Sequence, residues 1–156
     1  MRSYDAFEPV ADPAVITAPL AEWFGIPPET FSGHRFWKRP SARAIWVADR
    51  GLTPPPGLRP EAFGMLVSRM KSRTFKPSSV FIQRFGGAAT RNTCRLTGAQ
   101  LERLLAREPV PLEGTGATDG LVILRDEGDH PIGVGLLRGG VLETQLPKAW
   151  TLPAPG

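Results

Sequence analysis

Hydrophobic positions along the chain change period several times, and each change predicts an element. The segment TAPLAEWFG (17–25) places Leu20, Trp23 and Phe24 on one helical face, with Pro19 expected in the first turn and Gly25 as the stop, which predicts a helix over 18–24. FSGHRFWKR (31–39) and ARAIWVA (42–48) are rich in aromatic and β-branched residues and predict a hairpin turning at Pro40-Ser41. GLTPPPGLRP (51–60) carries four prolines, which fit neither a strand ladder nor a helix interior, so it reads as a loop and as the best internal boundary. FGMLVSRMKSRTF (63–75) is strand-like; Arg69, Lys71 and Arg73 at spacing two share one face, although Val67 falls in the same register.

A second helix is expected over 78–85, capped by Ser78 or Ser79, with Val80, Phe81 and Phe85 periodic and Gly86-Gly87 ending it. RNTCRL (91–96) reads as a strand. The next helix, 98–106, carries the strongest local signal: Thr97 and Gln100 have capping-box spacing, Leu96 and Leu101 can staple the first turn, and Leu101, Leu104 and Leu105 face the core. After the loop REPVPLEGTGATDG (107–120), LVILR (121–125), PIGVGLL (131–137) and VLETQ (141–145) predict a β-meander whose last turn is Gly139-Gly140. The tail after Trp150 reads as mobile. The pattern therefore predicts a β-rich α+β fold in three parts: a helix-plus-hairpin subdomain at 1–59, a second domain at 60–150 and a tail at 151–156.

Composition agrees, since 17 Gly and 17 Pro in 156 residues favour turns over long helices, and an apolar fraction of 41% can supply a core. Cys94, the only cysteine, has no internal disulfide partner, and Asp5, Glu8 and Asp12 stand where a signal peptide would be apolar. No stretch is apolar enough to span a membrane, so the expectation is a soluble cytoplasmic protein without membrane partners. Net charge is only +4, yet residues 62–101 hold seven basic residues and no Asp or Glu: Arg69, Lys71, Arg73, Lys76, Arg84, Arg91 and Arg95. Such a window fits polyanion binding, because phosphate neutralisation with counterion release supplies most non-specific nucleic-acid affinity. A merely solvated basic face fits the charge equally well.

Candidate chemistry is sparse. GTGATDG (114–120) has the look of a phosphate loop in the wrong context, since a strand rather than a helix follows it, so no S-adenosylmethionine or other cofactor binding is expected. His34, Cys94 and His130 lack the spacing of metal ligands, and Cys94 inside a strand reads as a buried structural thiol. No acid–base pair stands out, so no catalytic residue is assigned. Trp23 and Trp46 are expected in the core, whereas Trp37, between Phe36 and Lys38-Arg39, reads either as core or as a base-stacking platform.

The ordered series Lys76-Pro77-Ser78, Phe85-Gly86, Ala89-Thr90-Arg91-Asn92, the Gly120 strand, Pro131-Ile132-Gly133-Val134-Gly135 and Leu146-Pro147-Lys148 covers about half the chain. It resembles the C-terminal PUA-like region of RNA cytosine-5 methyltransferases of the NOL1/NOP2/Sun family, and the helix ending in Phe24-Gly25-Ile26 is similar to the segment preceding that region. The resemblance implies a PUA-like pseudo-barrel with short flanking helices and an N-terminal α/β extension, docking structured RNA such as tRNA or rRNA. It does not extend to methyl transfer, because the family's catalytic domain and its Pro-Cys or Thr-Cys motifs have no room here; Cys94 lies in the strand of the PUA-like stretch. The expected reading is a free-standing, non-catalytic module accessory to RNA modification or ribosome assembly, with an RNA-modifying enzyme as a possible partner in trans. Arg69, Lys71, Arg73, Lys76, Arg84 and Arg91 form its expected RNA surface, and Lys148 joins them from its Leu-Pro-Lys context. The alternative is a protein-interaction subunit of the same kind of complex.

Overall fold

The computed structural model describes residues 6–39, 42–55, 63–69, 75–147 and 150. Over these the chain forms a β-rich α+β fold of two sheets, one curled into a half-barrel. The first sheet has the order β1-β2-β3-β4, built from Glu8–Pro9, His34–Arg39, Ala42–Asp49 and Met65–Arg69. The second has the order β5-β7-β8-β9-β6, from Thr93–Arg95, Gly120–Arg125, Pro131–Arg138, Val141–Thr144 and Val110–Pro111. All neighbours are antiparallel except β5 and β7. β3 and β4 pair across the proline-rich stretch at which the sequence suggested an internal boundary, so one sheet spans residues on both sides of it.

Among the described residues three α-helices accompany the sheets: α1 (Ala14–Phe24), α2 (Ser79–Phe85) and α3 (Gly98–Leu105). α1 begins earlier than the pattern suggested, because the Asp12 carboxylate accepts the Ala14 amide at 3.1 Å and starts the helix there. Pro19 consequently lies inside the helix rather than in its first turn. The residue whose carbonyl loses its partner, Val15, is exposed, so water can take the place of the missing amide. α2 and α3 match their expected bounds closely, Ser78 capping the first and the Thr97/Gln100 capping box opening the second. Val80, expected on the periodic apolar face of α2, is instead exposed, and Ile82 takes its place beside Phe81 and Phe85.

α2 packs against both β4 and β8, and the main core forms around it. Leu20 and Phe24 of α1, Phe36, Val47 and Val67 of the first sheet, Phe81, Ile82 and Phe85 of α2, and Ile123 and Val134 of the second sheet share that core. Burying each such side chain is worth about 1.5–3 kcal/mol. Gly133 permits the approach: a Cβ there would lie 2.8 Å from Ser79 Oγ and 2.6 Å from a Leu146 methyl. A second core joins α3 to the second sheet through Leu96, Leu104, Val122, Leu124, Leu137 and Leu142. A third covers the far face of the first sheet, where Trp37 and Trp46 face each other across β2 and β3 and pack with Phe63. Trp37 is thus core; the residue is 4% exposed and offers no stacking platform. No helix among the described residues is long and apolar enough to cross a membrane.

Candidate nucleic-acid interface

The register of β4 places its first basic residue. Ile45 pairs with Ser68 and Trp46 with Leu66, so Val67 is the extra residue of a β-bulge. The bulge resets the alternation, and the conflict between Val67 and Arg69 disappears: Val67 is fully buried while Arg69, opposite Ala44, is exposed. Beyond β4 the chain is described again from Phe75, where it runs back along the strand. The Ser68 hydroxyl donates to the Lys76 carbonyl at 2.7 Å, the Ser78 amide donates to the Val67 carbonyl at 2.7 Å, and the Ser78 hydroxyl donates to the Leu66 carbonyl at 2.5 Å. These bonds bring Arg69 and Lys76 to the same end of the β4–α2 pair. The Lys76 ammonium donates to Gln145 Oε1 at 3.0 Å and remains exposed.

Arg84 stands at the opposite end, one helix length away, or about 10 Å for seven residues. Its guanidinium lies over the Phe85 ring at 5.1 Å, the geometry of a cation–π contact. It shares with Met65, Leu52, His34 and Asp49 the wall of a cavity of about 290 Å3. There the His34 ring meets Phe85 edge-on at 5.1 Å, and its Nε2 is 3.6 Å from Asp49 Oδ1, too long for a hydrogen bond. His34 Nδ1 is buried without a partner. A larger concavity of about 450 Å3 lies on the other side of His34, between β2 and the start of α1.

Arg91 is placed elsewhere. Thr90 and Arg91 donate their amides to the Phe24 carbonyl, Thr90 Oγ1 bonds the Gly25 carbonyl, Arg91 Nη2 donates to Ala21 O at 2.6 Å, and Asn92 Nδ2 donates to Trp23 O at 2.6 Å. The segment Thr90-Arg91-Asn92 thus caps the carbonyl end of α1, and the exposed Arg91 side chain is committed to that cap. Arg95 likewise donates to the Glu127 carbonyl. Lys71, Arg73 and Lys148 lie outside the described residues, so the row expected along 69–73 is described only at Arg69. Among the described residues, Arg69, Lys76, Arg84 and Arg91 form no ion pair with a carboxylate.

Two further basic residues lie on the far face of the first sheet and were not singled out from sequence. Arg35 sits 5.9 Å from the Trp37 ring and Arg39 5.6 Å from Phe7. Their spacing of two around Trp37 in HRFWKR was the available signal.

Other chemistry is limited. Cys94 is buried, which pushes its thiol pKa above the ordinary value. Among the described residues no group of three or more His, Cys, Asp or Glu side chains could hold a metal ion. The GTGATDG segment is followed by β7, and its amides are partly occupied: Ala117 donates to Thr115 Oγ1 and Thr118 to Asn92 Oδ1. No model of a known protein family matches the sequence, and no curated protein is detectably similar to it.

Proposed function

We propose that the chain is a non-catalytic RNA-binding module that docks structured RNA of the tRNA or rRNA kind, as an accessory to RNA modification or ribosome assembly. The observation that carries this reading is the set of exposed cations along β4 and α2, Arg69, Lys76 and Arg84, with no carboxylate paired to them among the described residues. They belong to a sequence window without a single acid, in which Lys71 and Arg73 add two more cations and Arg91 a further one. Unpaired cations spread over about 10 Å suit a phosphate backbone better than one carboxylate, and each neutralised phosphate releases condensed counterions. The resemblance to PUA-like regions points the same way and adds Lys148. The test is titration of a folded tRNA with the protein at several salt concentrations. Wild-type affinity should fall steeply with salt, and R69E/K76E/R84E should bind more than tenfold more weakly at moderate salt, with a slope shallower by about three. A folded triple variant that binds as well as wild type makes this face a solvated one and favours the protein-interaction reading.

A further inference from the structure

The cavity beside Arg84 is walled by a cation and an anion that do not satisfy each other. Arg84 and Asp49 both line it, yet they form no ion pair, and the Asp49 carboxylate accepts no hydrogen bond from the described residues. Asp49 is held at the edge of β3, opposite His34 of β2, and its side chain is 78% exposed. Of the apolar residues that line it, Phe85 and Val47 are buried, Met65 is half-buried, and Leu52 stands with half its surface in water. A volume of about 290 Å3 is just below the range for small-molecule sites, about 300–1,000 Å3, and suits one ring system rather than an extended ligand.

Resting on the RNA-binding reading, we propose that this cavity takes a single unstacked guanine of the bound RNA. A flat ring can lie against Met65 and Leu52 with the exposed Arg84 guanidinium beside it, as unpaired bases are commonly held on guanidinium planes. A carboxylate has only acceptors to offer, so it selects for adjacent N–H donors. Guanine presents two on its Watson–Crick edge, the ring N1–H and the exocyclic amine, whereas uracil presents one N–H between two carbonyls that Asp49 would repel. The nucleotide's phosphate then has Arg84 as its counter-charge. One guanine nucleotide thereby supplies donors to the anion, an anion to the cation and a ring to the accessible side chains of Met65 and Leu52.

Two measurements decide it. In the first, RNA hairpins of one stem with a single bulged G, A, C or U are titrated by fluorescence anisotropy at fixed salt, with wild type and Asp49→Asn. Wild type should favour the G bulge over the U bulge by tenfold or more, and Asp49→Asn should bring that ratio close to one. Loss of one negative charge strengthens binding to every hairpin alike, so it cannot produce the change in ratio. In the second, GMP and UMP are titrated into 15N-labelled protein; GMP should shift the amides of Asp49, Leu52 and Gly64, and UMP should not. Equal affinity for all four hairpins, with no GMP-induced shifts at these amides, overturns the guanine site while leaving RNA binding intact. Failure of every hairpin to bind, with GMP still shifting these amides, overturns the RNA reading and leaves a guanine nucleotide site.

Discussion

The Ser68 hydroxyl donates to the carbonyl of Lys76 at 2.7 Å, and this bond fixes the two basic residues that flank it, Arg69 and Lys76 itself, at one end of the β4–α2 pair. Ser68 is 1% exposed, so water cannot replace the hydroxyl. Ser68→Ala should therefore destabilise the fold by about 1–2 kcal/mol, as expected when a buried carbonyl loses its donor. Urea denaturation measures this directly. If the basic pair acts on RNA, the same variant should lose a few-fold in affinity with an unchanged salt slope, since the cations remain and only their placement loosens.

Cys94 offers a test of the second core. The thiol lies on β5 in the core that α3 shares with the second sheet, and burial raises its pKa above the ordinary 9.0. At pH 8 it is then almost wholly protonated, and a thiol is a poor nucleophile. Iodoacetamide at pH 8 should leave the native protein unmodified over hours and label it within minutes in denaturant, as followed by intact mass. Rapid labelling of native protein would show that the α3 layer opens readily.

Much of the fold was legible because its signals are local. The capping box of α3 and the serine cap of α2 act within one helical turn, and the β2–β3 and β8–β9 hairpins join neighbours in sequence. The start of α1 was obscured because Pro19 suggested a first turn, whereas Asp12 begins the helix further upstream. β1 and β6, two residues each, are too short to show any periodicity and exist through pairing with distant strands. The basic window was legible as composition. The cavity beside Arg84 was not, because it joins residues 34, 49, 52 and 65, on or beside the first sheet, to Arg84, which the packing of α2 against that sheet brings to them. The Thr90-Arg91-Asn92 motif was legible as a pattern while its role as a cap on α1 was not, since that role depends on contacts across about seventy positions.

Gly64 governs how the chain enters β4. Its φ is +64°, and a Cβ there would lie 2.4 Å from the carbonyl oxygen of Val47, a main-chain atom held in the sheet. Gly64→Ala combines left-handed strain with a backbone clash and should cost on the order of 2 kcal/mol or more. The expected readout is a lower midpoint in denaturant with an unchanged m value, because the unfolded surface is the same. A midpoint equal to that of wild type would mean that the β3–β4 entry shifts freely, contrary to the bulged register.

Asn92 is the residue on which the joint between α1 and the second sheet converges. Its Nδ2 donates to the Trp23 carbonyl at 2.6 Å, its Oδ1 accepts the Thr118 amide at 2.9 Å, and its own carbonyl accepts the Ile123 amide at 2.9 Å. Its φ of 53° is one that asparagine tolerates better than most residues. Asn92→Ala removes both side-chain bonds, leaves a part-buried carbonyl unpaired and retains the unfavourable φ, so a loss of about 2–3 kcal/mol is expected. Asn92→Asp separates the two contacts, because it keeps the acceptor for Thr118 and replaces the donor to Trp23 with a second oxygen facing a carbonyl. If the clamp on α1 is the stronger contribution, Asp should be as harmful as Ala at pH 7 and should recover in part below the carboxylate pKa, where a protonated oxygen can donate again. Denaturation of both variants at pH 7 and pH 4 reads this out, and an aspartate variant as stable as wild type at pH 7 would show that the Trp23 contact contributes nothing.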